Sequence, residues 1–169
     1  MAALMNPGST RSFLLPLTLL AALLMAMVIA SAQGPAKSAA TANDVPAASQ
    51  IQPEELVQAI KSGGAQKPLV LYVGPKAFYT QAHIPGAEFI GPVARPEGME
   101  KLRARAASLS KDGPVVIYCG CCPWDHCPNI RPAFAELRKV GFTRVRVLYL
   151  ANSFGVNWAE KGFPVAKGE

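Results

Sequence analysis

Residues 114–118, Pro-Val-Val-Ile-Tyr, form a short apolar run that ends on a cysteine. Apolar and polar residues do not alternate along it, so a strand here has neither face in water. A second run of the same kind, Leu-Val-Leu-Tyr-Val, occupies residues 69–73. Strands buried on both faces belong to sheets with helices packed on each side. The intervening segments supply those helices. Residues 53–61 open with Pro53 in a first-turn position and place Leu56, Val57 and Ile60 on one face. Residues 96–109 bring Met99, Leu102, Ala106 and Leu109 to a common face, and residues 131–140 read as a further helix. Short strands are expected at 87–90 and within 144–150, and a last short helix at 152–161. The expected class is therefore α/β, a central and mainly parallel sheet flanked by helices.

The N-terminal part follows a different logic. Arg11 precedes 18 almost wholly apolar residues, 13–30, and Ala30-Ser31-Ala32 then supplies a small-x-small site. A basic start, an apolar stretch and such a site make a secretory signal peptide, so residues 1–32 are expected to be removed and the protein to be periplasmic or secreted. The alternative is an uncleaved anchor, since a stretch of this length just spans a bilayer. Contact with a membrane is expected only through this segment. Residues 33–50, rich in Ala, Ser, Pro and Thr, read as a disordered linker. Residues 51–169 remain, enough for one domain with one core.

The formal charge of +6 falls to +5 when Arg11 leaves with the leader, and the remaining Lys and Arg residues are scattered. Neither that pattern nor an exported location suits nucleic-acid binding. A mildly cationic surface favours small anions instead.

All four cysteines, Cys119, Cys121, Cys122 and Cys127, lie within nine residues. Structural disulfides gain most by closing long loops, so clustering points to a site. Cys119 stands where a buried strand ends and a helix is about to begin. Ligand sites in open α/β sheets lie there, and loop amides and a helix N-terminus favour negative charge. Those fields are expected to lower the Cys119 pKa. Arg131, at the far end of the loop, is expected to bind an anion such as thiosulfate beside the Gly120 amide, or else to cap the loop through carbonyl hydrogen bonds, and Trp124 to serve either as a wall of that pocket or as a loop anchor.

Several segments resemble rhodanese domains. His83-Ile84-Pro85-Gly86-Ala87 is similar to the family's H-I-P-G-A segment, and Val115-Val116-Ile117-Tyr118-Cys119 resembles the strand leading into its nucleophilic cysteine. Residues 133–137 with Gly141-Phe142 resemble the helix that follows, and Trp158, Gly162, Pro164 and Val165 resemble the closing W…G-x-P-V. The resemblance implies a rhodanese-like fold and a sulfurtransferase. In that mechanism the Cys119 thiolate takes the outer sulfur of a donor as a persulfide, and a thiophilic acceptor removes it. The implied partners are a small sulfur-containing anion and a thiol acceptor, with no cofactor. The chain departs from the family in its longer loop, with eleven residues between Cys119 and Arg131, and in Tyr72-Val73-Gly74 where the family carries D-x-R.

The extra thiols leave other chemistries open. Cys119-Gly120-Cys121-Cys122 contains a C-x-x-C spacing suited to a redox disulfide, and Cys121, Cys122 or Cys127 are candidate resolving cysteines. Alternatively, Cys121, Cys122, His126 and Cys127 offer soft ligands for Cu(I) or Zn. A loop merely closed by a Cys121–Cys127 or Cys122–Cys127 disulfide is the remaining reading.

Overall fold

A computed structural model of the chain describes residues 44–168. The expected signal peptide and most of the expected linker lie outside these residues. Five strands form one sheet: β1 (Gln50–Ile51), β2 (Leu69–Tyr72), β3 (Glu88–Phe89), β4 (Val115–Tyr118) and β5 (Val145–Leu148). Their order is β1-β5-β4-β2-β3, and every pairing is parallel. Among the described residues the α-helices are α1 (Pro53–Ser62), α2 (Lys76–Gln81), α3 (Pro96–Ala107) and α4 (Ile130–Lys139).

Side chains alternate across the two faces of each central strand. Leu71, Val115, Ile117, Val145 and Val147 face one side and pack with Leu102 and Ala106 of α3 and Ala133, Phe134 and Leu137 of α4. Val70, Tyr72, Val116, Tyr118 and Leu148 face the other and pack with Leu56 and Val57 of α1, Tyr79 of α2 and Trp158. The run 115–118 is thus apolar throughout because each of its faces has its own core. Cys119 continues the phase of Val115 and Ile117 and joins the α3–α4 side.

Three differences from the sequence reading have physical causes. Residues 44–50, assigned to the linker on composition, belong to the domain. Val45 is buried, residues 47–49 make a 3-10 turn, and Gln50 and Ile51 pair with Val147 and Leu148. A two-residue strand is too short to show any periodicity. Helix α2, which the sequence reading does not single out, follows directly on Gly74 with Pro75 at its N-cap; at six residues it is too short to show a helical period. The expected last helix at 152–161 is a single π-helical turn, Gly155–Ala159. It sets Phe154 and Trp158 side by side, ring centroids 5.9 Å apart, and the Trp158 indole N–H donates to the Pro164 carbonyl at 2.8 Å.

His83 has a structural setting. Its ring stacks on Tyr79 with centroids 3.9 Å apart, and Nδ1 lies 2.8 Å from the Tyr79 carbonyl oxygen. The main chain of His83 bonds Ala166 in both directions, which fastens the C-terminal segment to the His83–Ala87 stretch.

Candidate active site

The strand order reverses direction between β2 and β4, and the crevice beyond their carboxyl ends is the natural ligand site of such a sheet. Cys119 leaves β4 into that crevice, and Gly74 lies opposite it after β2. The Val73 amide donates to the Tyr118 carbonyl at 2.9 Å, so the two strand exits stay paired up to the site. The approach is close. A Cβ on Gly74 would sit 2.9 Å from the Cys119 sulfur and 2.7 Å from the Tyr72 hydroxyl.

The loop after Cys119 is tied to the segment after β5. The Phe154 amide donates to the Gly120 carbonyl at 3.1 Å, and the Trp124 amide to the Ala151 carbonyl at 3.2 Å. The Trp124 ring packs on Tyr149 at 5.0 Å. Gly120 lies hard against Phe154, whose Cβ would be 2.4 Å from any Cβ added there. Trp124 and Gly120 therefore hold the loop in place. Arg131 braces the same loop: Nη1 donates to the Trp124 carbonyl at 3.4 Å, and Nε lies 3.6 Å from the Asp44 carboxylate. The guanidinium expected to cradle an anion is turned toward these internal acceptors.

Four free thiols gather inside the loop. The Cys119 and Cys121 sulfurs are 3.3 Å apart, as are those of Cys121 and Cys122. Cys119 and Cys127 are buried, whereas Cys121 and Cys122 are half-buried. Asn129, itself buried, donates its side-chain amide to the Cys119 sulfur at 3.5 Å and accepts the Ala94 amide on Oδ1 at 3.0 Å.

The charge distribution differs from the sequence expectation. Hydrogen bonds from Cys119 and Cys121, joined by the Asn129 and Ile130 amides at the start of α4, draw the Cys127 thiol well below its ordinary value. The Cys121 hydrogen bond pulls Cys119 down, but hydrogen bonding to Cys127, burial and the Cys127 charge outweigh it, and Cys119 ends above its ordinary value. Cys121 is also pushed up, by its bonds to Cys119 and Cys127 and by burial. Burial raises Cys122, assisted by Cys121. The first negative charge of the cluster belongs at Cys127, where the neighbouring thiols, and after them the amides at the start of α4, favour the thiolate.

The soft-metal alternative changes its membership. The sulfurs of Cys119, Cys121 and Cys122 all lie within 4.8 Å of one another, a spacing three thiolates around one ion require. Cys119 joins Cys121 and Cys122 in this group, whereas Cys127 and the exposed His126 stand outside it.

Two clefts open beside the loop, and Cys121 lines both. One, of about 270 Å³, is walled by Tyr72, Phe78, Gln81 and Phe154. The other, of about 450 Å³, is walled by Lys76, Phe89, Arg95 and Asn129. Lys76 is held with Nζ 4.9 Å above the Phe89 ring. Sequence reasoning did not single out Lys76, Arg95 or Asn129. Lys76 follows β2 and Arg95 follows β3. The rule that led to Cys119 after β4, applied to every strand end, points to both.

A family model, the Rhodanese-like domain, matches residues 52–154. The chain belongs to the rhodanese-like domain family. Solved structures agree on the fold. The rhodanese-like domain of the Alr3790 protein from Anabaena sp. superposes with a TM-score of 0.52 at 22% identity, over 70% of this chain and 79% of that one. The BH2092 protein from Bacillus halodurans gives 0.53 at 24%, over 70% and 76%. A thiosulfate sulfurtransferase from Pseudomonas aeruginosa gives 0.51 at 22%, over 71% of this chain but 19% of that one. No curated protein sequence matches the chain.

Proposed function

We propose that the protein is an exported sulfurtransferase that carries sulfane sulfur as a persulfide on Cys119 and passes it to a thiophilic acceptor. The observation that carries this reading is the position of Cys119, at the carboxyl end of β4 in the crevice where the strand order reverses, within a domain of the rhodanese-like family. With thiosulfate as donor, a new sulfur–sulfur bond forms to a protein thiolate, the donor's sulfur–sulfur bond breaks, and sulfite leaves with the electron pair. The acceptor then takes the outer sulfur and returns the thiol. Lys76 and Arg95 give the anion a cationic cleft, and the Asn129 amide supports negative charge on the Cys119 sulfur.

The test is incubation of the reduced full chain with thiosulfate, followed by mass-spectrometric location of the added sulfur. Persulfide located on Cys119 of the wild-type chain supports the reading; a wild-type chain that takes no sulfur from any sulfane donor overturns it. Export is tested separately by sequencing the N-terminus of protein recovered outside the cytoplasm, where a start at Gln33 is expected.

The sulfur contacts favour two further readings. The 3.3 Å approach of Cys119 to Cys121 suits a thiol–disulfide oxidoreductase, which requires a reversible internal disulfide in redox titration. The three clustered sulfurs suit Cu(I) or Zn, which requires stoichiometric uptake of the added ion by the anaerobic, reduced chain. Neither reading, nor the first, gives nucleic acid a role.

A further inference from the structure

The family mechanism asks the nucleophilic cysteine to meet both donor and acceptor, and in this chain Cys119 is badly placed for that. It is 4% exposed and lines neither of the two clefts at the loop. Gly74 and Asn129 approach its sulfur closely, and Cys121 covers it. Cys121, by contrast, is half-buried, lines both clefts and touches the Cys119 sulfur at 3.3 Å. The loop is pinned on either side of it, by the Gly120–Phe154 and Trp124–Ala151 bonds, so this arrangement is fixed by the main chain.

Building on the sulfurtransferase reading above, we infer that Cys121 is the exchange thiol: sulfane sulfur enters and leaves through Cys121, and Cys119 holds it in between. Thiosulfate, a divalent sulfur oxyanion, approaches along the cleft that contains Lys76 and Arg95. The Cys121 thiol gives up its proton to solvent in the cleft and its sulfur attacks the outer sulfur of the donor, whose sulfur–sulfur bond breaks so that sulfite departs with the electron pair. The Cys119 thiolate then attacks the outer sulfur of the Cys121 persulfide. One sulfur–sulfur bond forms as the other breaks, Cys121 leaves as the thiolate, and the proton given up by Cys119 passes to it. The exchange between the two cysteines is redox-neutral and calls for no outside oxidant or reductant. Discharge is the same exchange in reverse, ending with attack by the acceptor on the outer sulfur at Cys121. The second cleft, lined by Tyr72, Phe78 and Phe154, gives the acceptor an approach separate from the donor's. Seating the stored persulfide on the buried Cys119, under the Asn129 amide, shields it from adventitious thiols.

The experiment compares the reduced full chain with Cys121→Ser and Cys119→Ser, using thiosulfate as donor and cyanide as acceptor. Added sulfur is located by fragmentation of the peptide that holds the four cysteines, and thiocyanate release is followed in time. Cys119→Ser is expected to trap persulfide on Cys121, and Cys121→Ser to slow loading of Cys119 by more than about tenfold. Near-UV circular dichroism establishes that each variant keeps the wild-type packing, and Cys121→Ala serves if the serine does not. A Cys121 variant that loads and discharges Cys119 at the wild-type rate overturns the exchange role while leaving the sulfurtransferase reading intact. Release of hydrosulfide with formation of a Cys119–Cys121 disulfide overturns it in favour of thiol redox chemistry. A wild-type chain that takes no sulfur removes the underlying reading and this inference together.

Discussion

Asn129 joins the Cys119 sulfur to the loop before α3: its amide donates to the sulfur at 3.5 Å while its oxygen holds the Ala94 amide at 3.0 Å. One buried side chain thus supports the thiol and fixes a wall of the cationic cleft. Asn129→Ala removes both bonds and should cost about 1–3 kcal/mol in urea unfolding, because the Ala94 amide loses its partner. Asn129→Asp keeps the acceptor and replaces the donor with a carboxylate. It should stay nearer wild-type stability yet move the pH profile of Cys119 alkylation to higher pH, a shift that a purely structural role would not produce.

Gly120 has no room for a side chain. Gly120→Ala places a Cβ where the Phe154 Cβ would be 2.4 Å away. The loop or the π-turn behind Phe154 must shift, at a cost of about 1–3 kcal/mol. Sulfur transfer should fall more than stability accounts for, since the same shift moves Cys121 relative to Cys119. Thermal unfolding and persulfide loading, measured on one preparation, check the pair of outcomes.

Arg95 and Arg131 should separate by assay. Arg95→Ala removes a charge from the cleft at Cys121 and should raise KM for thiosulfate by roughly three- to tenfold, with a weaker salt dependence. Arg131 braces Trp124 and Asp44. Arg131→Ala should lower stability and leave the KM for thiosulfate close to wild type. A large KM effect confined to Arg131 would restore the anion-binding role its sequence position suggests.

Glu88 of β3 pairs with Arg105 of α3 through two bonds, 2.6 and 2.7 Å, and the Arg105 hydrogen bond holds its pKa below the ordinary value. A carboxylate depressed in this way contributes stability above its unfolded pKa and loses it as pH falls through the folded value. The pair is partly exposed, so the contribution should be under about 1 kcal/mol. Glu88→Gln should cost that amount near pH 7, with the difference from wild type shrinking as pH falls through the ordinary glutamate range and gone once pH lies below the depressed folded pKa. Paired urea titrations across this range supply the measurement.

Much of the fold is legible in the chain because burial leaves continuous marks. The runs at 69–73 and 115–118 announce strands covered on both faces, and Leu56, Leu102 and Leu137 fall on helix faces that meet them. The position of Cys119 follows from the same pattern. Details set by contacts between distant segments leave no such mark. The orientation of Arg131 depends on Asp44, the role of Trp124 on Tyr149 and Ala151, and the charge of Cys127 on two other thiols and two amides. The segment 44–50 looks like linker because its alanines and serines are ordinary in composition, and its membership is decided by a pairing with β5 almost a hundred residues later.

That pairing bears on how the domain behaves in solution. β1 supplies only two residues, but they lie along the otherwise open edge of β5. A chain trimmed to the family boundary at 52 would lose this cover and leave the main-chain amides and carbonyls of β5 unpaired. Such an edge is a template for strands of other molecules. The short segment ahead of the domain matched by the family thus acts as a guard against self-association.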